Sequence, residues 1–190
     1  MSPSAKASVC VYCGSSLGNH PRYLKAAREM GQSLARSGLR LVYGGSSVGL
    51  MGSLADAALD SGGEVIGVRP NWLFKGEPPH SRLTALHEVS SLHERKHMMF
   101  DLADAFVVLP GGLGTLDEMF EIVSWAQLGL HKKPIIAVDI EGFWAPLFDL
   151  ISQAERAGFI GSREARLIEH ASTPAEAVAV LAEKFGDRQN

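Results

Sequence analysis

The sequence predicts an α/β protein, with a Rossmann-like open parallel sheet and helices on both faces, formed as a single domain over residues 1–190. Two observations predict this fold. Short runs of apolar residues alternate along the chain with longer amphipathic stretches, as expected when helices connect parallel strands. Three of the predicted strands also end in glycine-rich loops, which folds of this class place at one edge of the sheet.

The predicted elements alternate along the whole chain. Apolar runs predict strands over residues 8–13, 39–43, 64–69, 84–89, 105–109 and 134–139. Apolar residues spaced three and four apart predict helices over residues 21–37, 49–61, 91–103, 115–128, 143–157 and 174–185. Pro21 suits the first turn of the first helix, and Gly38 suits the position where that helix ends.

Composition and charge exclude several classes of function. The 190 residues are 46% hydrophobic and 21% charged, which is typical of a globular protein with a sizeable core. A formal net charge of −3 gives no electrostatic reason to expect DNA, RNA or an anionic membrane as a partner. The sequence contains neither a bilayer-spanning apolar run nor a signal-peptide core, so we expect a cytoplasmic protein.

Two pairs of potential metal ligands have a simpler structural explanation. Cys10 and Cys13 match a C-x-x-C pattern, but they fall within a predicted strand, which points their side chains to opposite faces. We expect two buried, reduced thiols. His93 and His97 are four residues apart on a predicted helix, but the sequence offers no third ligand, so we expect a solvated helix face and no metal.

Residues 110–118, Pro-Gly-Gly-Leu-Gly-Thr-Leu-Asp-Glu, carry the strongest functional signal. They join the strand predicted over residues 105–109 to the helix predicted over residues 115–128. Free N–H groups at a helix N-terminus attract an anion, and the glycines allow a ligand to approach the backbone. Because Glu118 follows about one helical turn later, the segment predicts chemistry on a phosphorylated substrate.

A structural explanation of the same residues stays open. Thr115 and Glu118 also fit a capping box, in which Thr115 caps the helix and Glu118 reaches back to the cap. Asp117 is an acid of the kind that is favoured near a helix N-terminus. Ser91 and Glu94 form a second match to the capping box, and for that pair we prefer the structural role.

Arg95 and Lys96 lie in the helix that precedes this segment. The spacing from Leu92 places Arg95 on the apolar face of the helix, with Lys96 on its flank. A guanidinium on an inward face requires a partner or a ligand. The alternatives are an anionic ligand and an internal ion pair with an acid such as Glu118 or Asp101, and we favour the ligand.

Two further loops are predicted at the same sheet edge. Gly14 and Ser15 follow the first predicted strand, and Gly44 and Gly45 follow the second. Because ligands of open α/β sheets bind outside the carboxyl ends of the strands, we expect these four residues to contribute to a substrate site. Neither loop is a Walker A loop, and no dinucleotide-binding fingerprint follows the first strand.

Together these segments resemble the Lonely Guy family of cytokinin riboside 5′-monophosphate phosphoribohydrolases. The resemblance rests on residues 13–16 (Cys-Gly-Ser-Ser), 42–45 (Val-Tyr-Gly-Gly), 49–52 (Gly-Leu-Met-Gly), 93–96 (His-Glu-Arg-Lys), 110–118 and 125–129 (Trp-Ala-Gln-Leu-Gly). Family members were often labelled lysine decarboxylases. The sequence does not support that label, because no lysine site for pyridoxal phosphate is evident.

The resemblance implies hydrolysis of the N-glycosidic bond of a nucleoside 5′-monophosphate, which yields a free base and ribose 5-phosphate without a cofactor. By motif position, Arg95 and Glu118 would be the catalytic pair. The other implied substrate contacts are Glu77, Lys96, Gly111, Gly112, Leu113, Gly114, Thr115, Leu116, Asp117 and Ser124. The resemblance also implies a homodimer whose sites lie near the subunit interface.

The residue types suit this chemistry. Breaking the C1′–N bond builds positive charge on the ribose, and a carboxylate such as Glu118 stabilises that charge or activates a water. Arg95 would stabilise the departing base or hold the phosphate, and the sequence leaves both roles open. The preferred base also stays open: an N6-prenylated adenine, or plain adenine as in an AMP nucleosidase.

Two other classes of function share the glycine loops. One is a carrier of a nucleotide-like cofactor such as molybdopterin, and the other is a nucleotide-sensing regulator. The presence of both Arg95 and Glu118 at motif spacing favours the enzyme, because a carrier needs the loop but not the acid.

Overall fold

Strands and helices alternate through residues 6–72 and 80–186, which the computed structural model describes. The strands are β1 (Ser8–Tyr12), β2 (Arg40–Tyr43), β3 (Val65–Pro70), β4 (Ala85–Val89), β5 (Ala105–Val108), β6 (Ile135–Val138) and β7 (Glu169–Ala171). The helices are α1 (Pro21–Arg36), α2 (Gly49–Asp60), α3 (Leu92–Leu102), α4 (Leu113–Gln127), α5 (Ala145–Arg156) and α6 (Pro174–Gly186). Short 3-10 helices lie at Ile140–Gly142 and Glu164–Arg166.

The strands form one parallel sheet in the order β4-β3-β2-β1-β5-β6-β7. The chain builds outward from β1 in one direction as far as β4, and then crosses to the other side of β1 to add β5, β6 and β7. The order therefore reverses between β1 and β5, which is the point where open α/β sheets bind ligands. The predicted fold class is confirmed.

The two faces of the sheet carry separate apolar cores. Residues of α1, α2 and α6 cover one face, and residues of α3, α4 and α5 cover the other. Burial on both faces explains why the strands are continuous apolar runs rather than alternating ones. Cys10 packs in one core and Cys13 in the other, and both are free thiols, as the strand alternation predicts.

Several predicted boundaries differ from the structure. Helix α4 begins at Leu113, two residues before the predicted start at Thr115. Strand β7 was not predicted, because its three residues, Glu169, His170 and Ala171, carry too little apolar pattern to be recognised. The other elements agree with prediction to within one or two residues at each end.

Two local signals act as the sequence predicts. Gly38 follows α1 with a φ of 68°, a left-handed conformation that glycine adopts without strain. Ser91 caps α3 by accepting a hydrogen bond from Glu94 N at 3.1 Å, and the Glu94 carboxylate accepts from Ser90 N at 2.8 Å. Glu94 is therefore part of a helix cap.

Among the helices of the described residues, none is long and apolar enough to cross a bilayer.

The contact between α1 and α2 depends on Gly31. A Cβ atom on Gly31 would lie 2.3 Å from Leu54 O and 2.9 Å from Ala58 N, both backbone atoms that cannot move alone. We expect Gly31→Ala to lower the free energy of unfolding by about 1–3 kcal/mol. Thermal unfolding checks this, with Gly186→Ala as the control, because a Cβ at Gly186 meets nothing within 4 Å. Equal melting temperatures for the two variants would contradict the expectation.

Candidate active site

Three glycine-rich loops meet at the carboxyl edge of the sheet. They follow β1, β2 and β5, which are neighbours in the sheet. Gly14 N donates a hydrogen bond to Pro110 O at 3.2 Å, which joins the first loop to the third. A Cβ on Gly111 would lie 2.9 Å from Gly14 N, and one on Gly49 would lie 2.1 Å from Ser15 O. The loops therefore pack against one another at distances that only glycine allows.

The N-terminus of α4 is open toward solvent. Gly112 is its N-cap and has no side-chain cap, and the first helical hydrogen bond runs from Leu116 N to Gly112 O at 3.1 Å. The amides of the first turn thus have no partner within the helix. Cβ atoms on Gly112 or Gly114 would meet nothing within 4 Å. The loop therefore offers free N–H groups and the space to reach them, as an anion site requires.

The capping box that was the open structural alternative for Thr115 and Glu118 does not form. Because α4 starts at Leu113, Thr115 is its third residue and is buried against Gly111. Glu118 does not turn back to the cap but forms an ion pair with Arg95. The carboxylate is thus free of the structural role that competed with a functional one.

Arg95 and Glu118 form a buried ion pair. Arg95 Nη1 donates to Glu118 Oε1 at 2.5 Å, and each residue is only 9% exposed. Arg95 Nε donates to the carbonyl oxygen of Val68 in β3 at 3.0 Å. The internal ion pair with Glu118, which was the less favoured explanation of Arg95, is therefore present. The predicted alternative partner, Asp101, instead lies on the surface beside His97.

Burial raises the pKa of Glu118 above its usual range, and the charge and hydrogen bond of Arg95 oppose that rise. The net shift of the pKa is upward, so the Glu118 carboxyl group holds a proton more readily than an ordinary glutamate does. Perturbed acids of this kind are concentrated at functional sites, although structural ion pairs also produce them.

Lys96 forms a second contact between α3 and α4. Its Nζ lies 3.1 Å from Asp117 Oδ2 and 3.2 Å from Glu121 Oε1. Partial burial works to lower the pKa of Lys96, but the hydrogen bonds and charges of the two carboxylates outweigh it and raise the pKa. Lys96 is therefore a fixed ammonium beside the open helix N-terminus.

A cleft of about 490 Å³ brings these features together. Its volume is in the range of small-molecule sites. It is lined by Cys13, Ser15, Met51, Leu92, Arg95, Lys96, Gly112, Leu113, Gly114, Thr115, Asp117 and Glu118.

Comparison with known proteins places the chain in a family. A family model described as possible lysine decarboxylase matches residues 51–181. The cytokinin riboside 5′-monophosphate phosphoribohydrolase LOG of Oryza sativa subsp. japonica is 45% identical over 175 residues, which cover 92% of this chain and 72% of the relative. The cytokinin riboside 5′-monophosphate phosphoribohydrolase of Rhodococcoides fascians is 49% identical over 154 residues, 80% of this chain and 78% of the relative.

The chain belongs to the LOG family. This is the Lonely Guy family that the sequence motifs resemble. The lysine decarboxylase description of the family model receives no support from the cleft of this LOG protein. Lys96 is the single lysine among the described residues that line it, and a Schiff-base lysine needs a lowered pKa, whereas that of Lys96 is raised.

More distant structures share the fold of the LOG protein. The molybdenum cofactor carrier protein of Chlamydomonas reinhardtii has a TM-score of 0.72 at 21% identity, over 95% of this chain and 99% of that chain. The molybdenum cofactor binding protein of Rippkaea orientalis has a TM-score of 0.71 at 22% identity, over 95% of this chain and 98% of that chain. At this identity the likeness shows the fold alone.

The structure brings most of the predicted site residues to the cleft, but not all of them. Leu116 packs against the apolar core, and Ser124 is exposed beside a groove farther along α4. Gly14 and Gly111 line a second recess, which shares Gly112 with the cleft. Gly44 and Gly45 are buried outside the lining of the cleft. Glu77 lies outside the described residues.

Sequence reasoning missed four contributions to the site. Cys13, Met51 and Leu92 line the cleft, although none of them was named as a site residue. The Val68 carbonyl that holds Arg95 is a backbone group, so no residue type signals it. The motifs at residues 13–16 and 49–52, which contain Cys13 and Met51, were the available signal.

The predicted solvated face at His93 and His97 agrees with the structure. Both residues are exposed, and His97 lies 3.4 Å from Asp101. In the described ranges, no three His, Cys, Asp or Glu side chains are grouped as a metal site requires.

The buried ion pair predicts a pH-dependent loss of stability in Arg95→Met. Breaking such a pair costs about 3–5 kcal/mol in the free energy of unfolding. Without Arg95, burial raises the folded-state pKa of Glu118 further. The carboxyl group is then neutral at low pH, and its ionisation destabilises the variant as the pH rises through that pKa. Urea unfolding should show a larger deficit at about pH 8 than at about pH 5.

The double variant Arg95→Met/Glu118→Gln is the control for this experiment. It contains neither charge, so its deficit relative to the wild type should vary less with pH than that of the single variant. A deficit in Arg95→Met that is the same at both pH values would show that Glu118 does not titrate against Arg95.

Proposed function

We propose that this protein is a phosphoribohydrolase that cleaves the N-glycosidic bond of adenosine 5′-monophosphates, including N6-modified ones. The products are the free base, a cytokinin in the N6-modified case, and ribose 5-phosphate. The observation that carries the proposal is the buried pair of Arg95 and Glu118 beside the open N-terminus of α4. The names of the LOG relatives from Oryza sativa and Rhodococcoides fascians describe this activity.

The phosphate is assigned to the open first turn of α4. Its unpartnered amides and the positive end of the helix dipole suit a dianionic group, and Lys96 adds a fixed positive charge nearby. Binding the phosphate here would hold the ribose within reach of Glu118. Remote binding energy of this kind is expected to favour nucleotides over free nucleosides. The proposed contacts of the motif are the residues that line the cleft, Lys96, Gly112, Leu113, Gly114, Thr115 and Asp117.

The carboxylate of Glu118 is assigned to the sugar. Departure of the base leaves positive charge at C1′, and water supplies the oxygen that replaces the base nitrogen. Glu118 stabilises that charge and accepts a proton from the water whose oxygen bonds to C1′. The departing base takes up a proton from solvent, and Glu118 then returns its proton to solvent. A pKa raised by burial suits a group that must accept a proton near neutral pH.

Arg95 is assigned the task of holding Glu118 in the cleft. Two of its nitrogen atoms are already engaged, one with Glu118 and one with Val68 O. A direct contact with the phosphate or the departing base would use the donors that remain. The cleft also has an apolar side, formed by Met51, Leu92 and Leu113, which suits a base with an apolar N6 substituent.

Release of free base from AMP and from isopentenyladenosine monophosphate, followed by chromatography, tests the proposal. We expect turnover of both nucleotides, little turnover of adenosine, and a loss of at least about a hundredfold in kcat for Glu118→Gln. Glu94→Gln is a matched control, because Glu94 caps α3 outside the cleft. Near-normal turnover in Glu118→Gln would refute the role of Glu118, and no base from either nucleotide would refute the activity.

We also propose that the protein forms a homodimer through an apolar groove of about 270 Å³ between α4 and α5. Phe120 and Leu150 line the groove and are 41% and 59% exposed, so a second copy seated there would remove their apolar surface from water. Ser124, an implied substrate contact, lies along the same groove. Because α4 begins at the cleft and continues along the groove, a second copy seated there would lie beside the cleft.

The dimer is tested by sedimentation equilibrium. We expect a mass of twice the 20.4 kDa of the chain for the wild type, and a shift toward the monomer for Leu150→Glu, because a buried carboxylate without a partner is costly. Ala179→Glu, an exposed position on α6, is the control and should remain dimeric. A wild type that sediments as a monomer would refute the dimer.

A further inference from the structure

We propose that Gly44 is a positioning residue, whose missing side chain leaves the space that the Arg95 guanidinium occupies when it holds Glu118. The proposal rests on the proposed function for the catalytic meaning of that pair, but the geometry it describes is independent of any substrate. It gives Gly44 a task different from direct contact with the ligand.

The Arg95 guanidinium occupies the space that a side chain at position 44 would fill. A Cβ atom on Gly44 would lie 2.1 Å from Arg95 Nη2, 3.3 Å from Arg95 Cζ and 2.9 Å from Met51 Sδ. Atoms that are not bonded to each other do not lie this close, so a side chain at position 44 would force Arg95 and Met51 to move. Gly44 comes directly after β2 and is buried. The Nη2 end of the guanidinium therefore points at the backbone that follows β2.

Backbone conformation does not explain the glycine at this position. Gly44 is not among the glycines with positive φ, whereas its neighbour Gly45 has a φ of 77°. Gly44 is also outside the cleft lining, so close approach of a ligand does not explain it either. The side chain of Arg95 is the nearest group that a larger residue would meet.

Three elements together fix the Arg95 guanidinium. Its Nε donates to Val68 O in β3, its Nη1 donates to Glu118 in α4, and its Nη2 lies against Gly44 after β2. Arg95 itself comes from α3. The orientation of the guanidinium that holds Glu118 thus depends on contacts with β3, with α4 and with the residue that follows β2. Gly44 makes the third contact possible because it has no side chain.

A methyl group at position 44 should displace Arg95 rather than unfold the protein. The atoms it would meet are the ends of two flexible side chains, Arg95 and Met51. Moving the guanidinium away costs less than moving β2, which is paired on both sides. The displaced guanidinium would lose its short contact with Glu118, and the carboxylate would remain buried with a weaker partner.

Loss of that contact changes the acid–base behaviour of Glu118. The charged groups that act on it are Arg95, Lys96 and Asp117, and the neutral groups nearby are Cys10, Tyr12 and Cys13. Burial raises the pKa of all three neutral groups, so they stay uncharged near neutral pH. The charge and hydrogen bond of Arg95 oppose the rise in the pKa of Glu118 more strongly than any other group does, so displacement of Arg95 should raise that pKa.

The experiment compares wild type, Gly44→Ala and Gly31→Ala. The pKa of Glu118 is measured without substrate by NMR of the side-chain carboxyl carbon, assigned with Glu118→Gln. The pH dependence of kcat for AMP is measured in parallel. We expect Gly44→Ala to raise the pKa of Glu118, to move the acidic limb of the kcat profile to higher pH, and to lower kcat by at least about tenfold with a similar KM.

Gly31→Ala separates positioning from general loss of stability. It should lower the melting temperature and leave both the pKa of Glu118 and the pH profile unchanged, because its clash is with the backbone of α2. An unchanged pKa in Gly44→Ala would overturn the proposal. An increase in KM with an unchanged pH profile would also overturn it, since that result indicates direct contact with substrate.

A double-variant cycle tests whether the effect acts through Arg95. In the Arg95→Ala background there is no guanidinium to displace, so Gly44→Ala should have little further effect on stability or on the pKa of Glu118. If Gly44→Ala alone does not fold, the proposal requires that the double variant be as stable as Arg95→Ala alone, and a double variant clearly less stable than Arg95→Ala counts against the proposal. If Gly44→Ala raises the pKa of Glu118 but the wild type releases no base, the positioning role of Gly44 stands and the proposed function is refuted.

Discussion

The ion pair between Arg95 and Glu118 is the constraint on which the rest of the site depends. Both charges are buried at the edge of a sheet whose two faces are apolar, and burying charge is costly unless each group is paired. The pair therefore fixes where α3 and α4 lie relative to each other. It also requires space after β2, at Gly44, and the backbone carbonyl of Val68 in β3 as an acceptor for Arg95.

The fold and the location of the site are predictable because their signals are repetitive. Parallel strands buried on both faces are apolar runs, and the helices that cover them repeat every three or four residues. Three loops that follow three strands must meet at one edge once the sheet is parallel. Arg95 was recognisable because a guanidinium on an apolar helix face needs a partner, whichever partner it proves to be.

Other features were not predictable because they depend on contacts between distant segments. Thr115 and Glu118 match a capping box, but the helix starts earlier, at Leu113, and Thr115 is buried against Gly111. Strand β7 is stabilised by its pairing with β6 rather than by its own composition. The choice of Lys96 as the partner of Asp117 and Glu121 follows from the way α3 faces α4, which no local pattern encodes.

The close approach of the three glycine loops separates the shape of the pocket from its chemistry. Gly49 and Gly111 are needed so that the loops fit against one another, whether or not a ligand is ever hydrolysed there. A variant without Arg95 and Glu118 would still need both glycines, since its loops must still fit together. The glycines therefore preserve the shape of the pocket, and the charged pair sets the chemistry that the pocket can support.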